Sequence, residues 1–176
     1  MTDDELAAID PSNTPTADER TLLVGFVDYY RAVLARKAQG LSKEQLALRL
    51  GPSDLTLGGL VKHMAIVEDI WFHERLHGRE RLEPFASAPW DDDPDWEIHS
   101  AADDEPGEIF ALYEAACERS RAAIDGVDLD ARLAKPNRLG LHFSLRWVLI
   151  HMIEEYARHA GHADLIRQSI DGATGD

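Results

Sequence analysis

An all-α, four-helix-bundle architecture is what this sequence predicts, and three observations carry the expectation. Four long segments place apolar residues at helical spacing, no segment alternates convincingly as a strand, and the links are short except for one. The 176 residues suffice for one domain with a real core, and an apolar share of 44% is ordinary for a globular chain.

Residues 1–15 are acidic and end in Pro15, which reads as a mobile tail. "TADE" at 16–19 has the form of a capping box, with Thr16 as the cap and Glu19 reaching back. It opens a first long helix running to about Gln39, with Leu22, Phe26, Tyr30 and Val33 on one stripe, and Gly40 stops it. "SKEQ" at 42–45 is a second capping box and starts a short helix that ends near Gly51. The second long helix extends from about Thr56 to Gly78, with Leu60, His63, Val67, Ile70 and Trp71 within one face.

Residues 79–105 form a long, acidic, proline-interrupted connection. Between Asp91 and Glu105 stand eight acids and no Lys or Arg. Connections of this length are commonly lids or solvated loops, and the charge run favours the solvated loop. The third long helix covers about Pro106 to Ile124, with Ile109, Leu112, Ala116 and Ser120 facing inward. "KPNRLG" is a turn or loop, and the last helix runs from about Ser144 to Ile170 and ends at Gly172. The bundle is therefore expected over 16–172, with 173–176 as a second tail.

Composition narrows the partners. With 33 acidic against 18 basic residues, the formal net charge is -15, a field that repels nucleic acid and anionic membrane surfaces. A single cysteine, Cys117, permits no internal disulfide and fits a reducing compartment. "MTDDELAAIDPSNTP" lacks the basic region and apolar run of a signal peptide, and no stretch approaches the ~18 apolar residues of a membrane helix. The expectation is a soluble, cytoplasmic protein with no nucleic acid and no membrane as partner.

The chemistry concentrates in "HMIEEYARHAGH", residues 151–162. At about 100° per residue, and with His151 set at zero, Glu155 lies at about 40°, His159 at about 80° and His162 at about 20°. These four share a stripe with Val148, Met152, Ala163 and Ile166, whereas Glu154, Arg158 and Asp164 point away. A buried carboxylate among neutral imidazoles needs a compensating positive charge. Two readings supply it: a core edge where Glu155 pairs with an arginine, or half of a metal site. His63, flanked by Leu60, Ile66, Val67 and Ile70, is the second oddly placed polar residue. Alone it reads as a core histidine. If it met Glu155 and His159, the three would make a two-histidine, one-glutamate centre with open positions, suited to zinc, with nickel or iron not excluded.

"HERLH" at 73–77 matches the metalloprotease pattern H-E-x-x-H, but Gly78 ends the helix directly after it. It also lies ten to fourteen residues beyond His63, roughly 15–21 Å along a helix axis, so it cannot share His63's metal. Cys117 reads as a small core residue. Trp71, Phe72, Trp147 and Tyr156 read as packing residues, any of which would line a pocket if it stood near the metal.

Three segments, "DERTLLVGFVDYYRAVLARKAQGLS", "LTLGGLVKHMAIVEDIWF" and "SLRWVLIHMIEEYARHAGHADLIRQSIDG", resemble in order the DinB-like superfamily, in its actinobacterial DinB-domain branch. The likeness runs from about Thr16 to Gly172. It implies an up-down-down-up four-helix bundle, frequent homodimers, and a divalent metal held by one ligand from the second helix and two, spaced four apart, from the last. Matched residue by residue, those ligands are His63, Glu155 and His159. Many members carry histidine where this chain has Glu155, while the mycothiol-dependent maleylpyruvate isomerase is similar in using glutamate there. His162, where many members have glutamine, and His151, one turn earlier, fall as supporting residues around the ligands.

Members of known activity include transferases and isomerases that use mycothiol, bacillithiol or glutathione, in which the metal stabilises a thiolate. The resemblance thus implies a metal-dependent low-molecular-weight-thiol transferase or isomerase, with zinc or nickel first and iron next. The alternatives are a non-catalytic, stress-related metal- or ligand-binding protein and, third, a metal-dependent hydrolase.

Overall fold

The computed structural model describes residues 2–174, and over that range the chain is helical, with no strand beyond one isolated bridge between Arg132 and Ser144. Met1 and residues 175–176, at the outer ends of the two expected tails, lie outside the described residues.

Seven α-helices follow one another: α1 (Asp3–Ala8), α2 (Glu19–Ala38), α3 (Lys43–Leu46), α4 (Leu57–Glu68), α5 (Trp96–Ser100), α6 (Pro106–Ala123) and α7 (Leu145–Asp171). α4 runs directly into a π-helical stretch, Asp69–Arg75, which shifts the register of every side chain beyond it. α2 packs on α7 and α4 on α6, while α4 also touches both α2 and α7, so α4 borders all three other long helices. Its position explains its composition. Every residue from Leu57 to Glu68 except His63 is buried, and a helix so enclosed is apolar on every face except where a buried charge finds a partner, as Lys62 and Glu68 do.

Helix ends follow local chemistry. Ser42 and Gln45 form the expected capping box of α3, Thr56 caps α4 on the Gly59 N–H, and Ser144 caps α7 on the Trp147 N–H. Gly172 ends α7 at φ +78°, where a Cβ would be strained. The start of α2 differs from the sequence reading. Asp18, not Thr16, is the cap, accepting from the Thr21 N–H at 3.0 Å and from the Thr21 hydroxyl at 2.7 Å.

The inward stripe of α2 also differs. Val27, Arg31, Leu34 and Ala38 are buried, whereas Phe26 is 39% exposed. The cause is Arg31, a buried charge on the core face, which rotates the true stripe away from the all-apolar one. Its guanidinium meets Glu68 in a bidentate pair, Nε to Oε1 at 2.7 Å and Nη2 to Oε2 at 2.6 Å. The Tyr156 hydroxyl donates to the same Oε1 at 2.6 Å, and the Tyr113 hydroxyl donates to the Arg31 carbonyl at 3.0 Å. One network therefore ties α2, α4, α6 and α7 together inside the core. Cys117 sits beside it, 3.8 Å from the Tyr156 hydroxyl, and burial pushes its thiol up to about 12, out of the range of a nucleophile.

Two segments read from sequence as unstructured carry structure. Within residues 1–15, α1 docks Leu6 into a small apolar cluster with Val33 and Ala160. Within 79–105, Phe85, Ile98 and Ala101 are buried and Trp90 and Trp96 pack edge-on to one another. The acids hid these apolar anchors. Lys62, itself buried, reaches across to Asp104 at 2.5 Å and to the Ser100 hydroxyl at 2.9 Å, fastening the segment to α4.

Candidate metal centre

α4 and α7 bring His63, Glu155 and His159 together, with one potential ligand atom from each lying within 4.8 Å of the others. The i, i+4 spacing on α7 stacks Glu155 and His159 on adjacent turns, and the Glu155 Oε2 stands 3.3 Å from the His159 Nε2. His63 comes from the opposing helix, its ring centroid 5.0 Å from that of His159. All three side chains are half-buried, which leaves the centre within reach of a small ligand.

The protonation state suits ligation. Burial, reinforced by the neighbouring His63 and His162, pushes His159 down to about 4, so its imidazole is neutral and its lone pair available near neutral pH. Three buried polar atoms on or beside the centre have no hydrogen-bond partner: His159 Nδ1, His162 Nδ1 and Glu97 Oε2. Orphaned buried groups are costly in a folded protein, and two imidazoles with a carboxylate are a donor set that fits a divalent cation.

The supporting histidines occupy different surroundings. His162 lies one turn past His159, with ring centroids 5.6 Å apart, and stands outside the three-donor group. His151 lies one turn before Glu155, its Nε2 3.5 Å from Glu155 Oε1 and its Nδ1 3.5 Å from Glu154 Oε2. Its ring stacks on Trp147 at 5.0 Å and meets the edge of Trp71 at 4.9 Å, and Phe143 stacks on the far side of Trp147 at 4.1 Å. Trp71 and Trp147 thus pack against His151, one turn before Glu155, whereas Phe72 and Tyr156 belong to the core. Glu154 faces out and pairs with Arg158, as the helical arithmetic requires.

His73 and His77 join no metal-type donor group among the described residues. The His77 Nε2 instead stands 2.8 Å from the Ala123 carbonyl. One participant was not legible in the sequence. Glu97, on α5, places its Oε1 2.8 Å from the His63 Nδ1 and is buried. It is one of eight acids in its stretch, and the only local signal was its position between Trp96 and Ile98, the large apolar residues of that run.

Fold and site together define a class: an all-α protein in which two helices present two imidazoles and a carboxylate to a common point. The family model for mycothiol-S-transferase matches residues 22–172, and the chain belongs to that family. A comparison with curated proteins returns no match. Among the described residues, no helix is long and apolar enough to cross a membrane.

Proposed function

We propose that the chain is a metal-dependent transferase or isomerase for a low-molecular-weight thiol of the mycothiol type, with His63, Glu155 and His159 holding one divalent ion. The observation that carries this reading is the convergence of those three donors from two helices, in a chain of the mycothiol-S-transferase family. Zinc or nickel suits two imidazoles and a carboxylate, and iron is the third choice. The scaffold for this chemistry is an up-down-down-up four-helix bundle over 16–172, working as a cytoplasmic homodimer.

A divalent ion held by His63, Glu155 and His159 would supply Lewis acidity that lowers a thiol's pKa towards neutral pH. The chain's own groups prepare for that. Glu155 contributes the negative charge that a dication needs, and a neutral His159 contributes a lone pair with no proton to displace. Trp71 and Trp147 pack around His151, one turn before Glu155, and hold that ring in place. A thiol activated in this way would be a nucleophile for an electrophilic carbon, the new sulfur–carbon bond replacing the bond to a leaving group that departs with its electron pair.

His162 favours a second reading. Its buried, partnerless Nδ1 beside His159 would close the coordination shell, making a structural or sequestering site. Elemental analysis of untagged protein beside a His63→Ala, His159→Ala variant tests the centre. About one zinc or nickel per chain, lost in the folded variant, is expected. No metal in the parent, even after reconstitution, overturns the reading. Incubation of the metal-loaded protein with mycothiol and a halogenated electrophile should yield the S-conjugate, and stoichiometric binding without turnover would select the sequestering reading instead.

A further inference from the structure

We infer that Glu97 is the positioning residue of this centre: its carboxylate holds the His63 ring with the proton on Nδ1 and leaves Nε2 as the bare donor. The inference rests on the metal reading only for its metal readout.

The geometry is specific. The Oε1 of Glu97 stands 2.8 Å from the His63 Nδ1, and an ionised carboxylate can only accept there, so the ring nitrogen donates. Glu97 is 7% exposed although it belongs to the most acidic stretch of the chain. A carboxylate is not buried without return, and its second oxygen has no partner at all. The hydrogen-bond partner the structure gives that carboxylate is the His63 ring. A carboxylate behind a ligating imidazole fixes the tautomer, orients the ring and raises the basicity of the other nitrogen.

The fold also shows how Glu97 is aimed. α5 lies against α4 at Gly59. A Cβ at Gly59 would come within 3.0 Å of the Ile98 carbonyl and 3.1 Å of its Cγ2, besides 2.9 Å from the Thr56 hydroxyl. The missing side chain lets the residue after Glu97 touch the helix that carries His63 one turn later. Lys62, next to His63, grips the far end of α5 through Ser100 and then Asp104. Glu97 is thus held from both sides.

Two measurements test this. Nitrogen-15 imidazole spectra of the metal-free protein at about pH 8 should show His63 with its proton on Nδ1 in the parent, and with Nε2–H favoured in Glu97→Ala. A parent in which Nε2 carries the proton overturns the inference. Zinc affinity, read by competition with a chromophoric chelator, should fall about 10- to 100-fold in Glu97→Ala and less in Glu97→Gln, whose amide oxygen still accepts. Glu97→Gln also serves if the alanine variant fails to fold. Gly59→Ala should weaken zinc binding by displacing α5, and should add nothing to Glu97→Ala in the double variant. Full additivity there, or equal zinc affinity in the parent and folded Glu97→Ala, overturns the inference. If the parent takes up no zinc, the proposed function fails, and the tautomer spectra still decide the role of Glu97.

Discussion

Replacing Tyr156 with phenylalanine isolates one hydrogen bond in the buried network. The ring is fully enclosed, so Phe keeps the packing and removes only the hydroxyl. That hydroxyl donates at 2.6 Å to a Glu68 oxygen that also accepts Arg31 Nε at 2.7 Å, while the other oxygen keeps Arg31 Nη2 at 2.6 Å. Glu68 would therefore stay paired, and the loss is one bond to a charged acceptor, about 1.5–3 kcal/mol. The Cys117 thiol at 3.8 Å is too weak a partner to change that figure. Arg31→Met is a harsher perturbation because it strands a buried carboxylate, and about 3–5 kcal/mol is expected. Urea unfolding of the metal-free protein followed by far-ultraviolet circular dichroism reads both. With a slope of about 2 kcal/mol per molar, Tyr156→Phe should lower the midpoint by about 1 M. A shift below about 0.3 M at unchanged slope, or an Arg31→Met cost no larger than that of Tyr156→Phe, would refute the reasoning.

Two further outcomes follow from the centre and its neighbourhood. His159 titrates at about 4 in the folded chain against about 6.5 in the unfolded one, so between those values the unfolded state binds the extra proton. The stability of the metal-free protein should therefore be complete above about pH 6.5 and fall as pH drops towards 4, by about 1–2 kcal/mol after allowing for partial solvent access. His159→Gln should flatten that slope in a pH series of urea midpoints, and an unchanged slope would show that other groups set it. His73→Ala with His77→Ala should leave metal content per chain unchanged by elemental analysis, because neither residue belongs to a donor group. A loss of metal would mean that HERLH, and not α7, carries the ligand set.

What could be read in advance was what depends on neighbours along the chain. Caps at Ser42, Thr56 and Ser144 act over three residues, and the stop at Gly172 needs only one backbone conformation, so these ends fell where expected. Glu155 and His159 share a helix, and 100° arithmetic sufficed to put them on one face. His63 needed more than spacing, since a histidine on an apolar face has a bland reading; its place among the donors came from the family resemblance. The failures were non-local. Arg31 sits 37 residues from the carboxylate that makes its burial tolerable, and a pattern that sorts charges to the outside puts the α2 stripe in the wrong place. Glu97 sits 34 residues beyond His63, in a run whose charge argued for solvent. Nothing short of the folded chain joins those pairs.

The adjacency of Glu155 and Tyr156 on α7, and the five-residue step from His63 to Glu68 on α4, has an engineering consequence. The rotational setting of both helices is held by the Tyr156–Glu68–Arg31 contacts, one residue past Glu155 on α7 and five past His63 on α4. Identity and alignment are thus assigned to separate residues. Glu155→His should therefore leave both helices unturned, since the contacts that set their rotation involve other side chains.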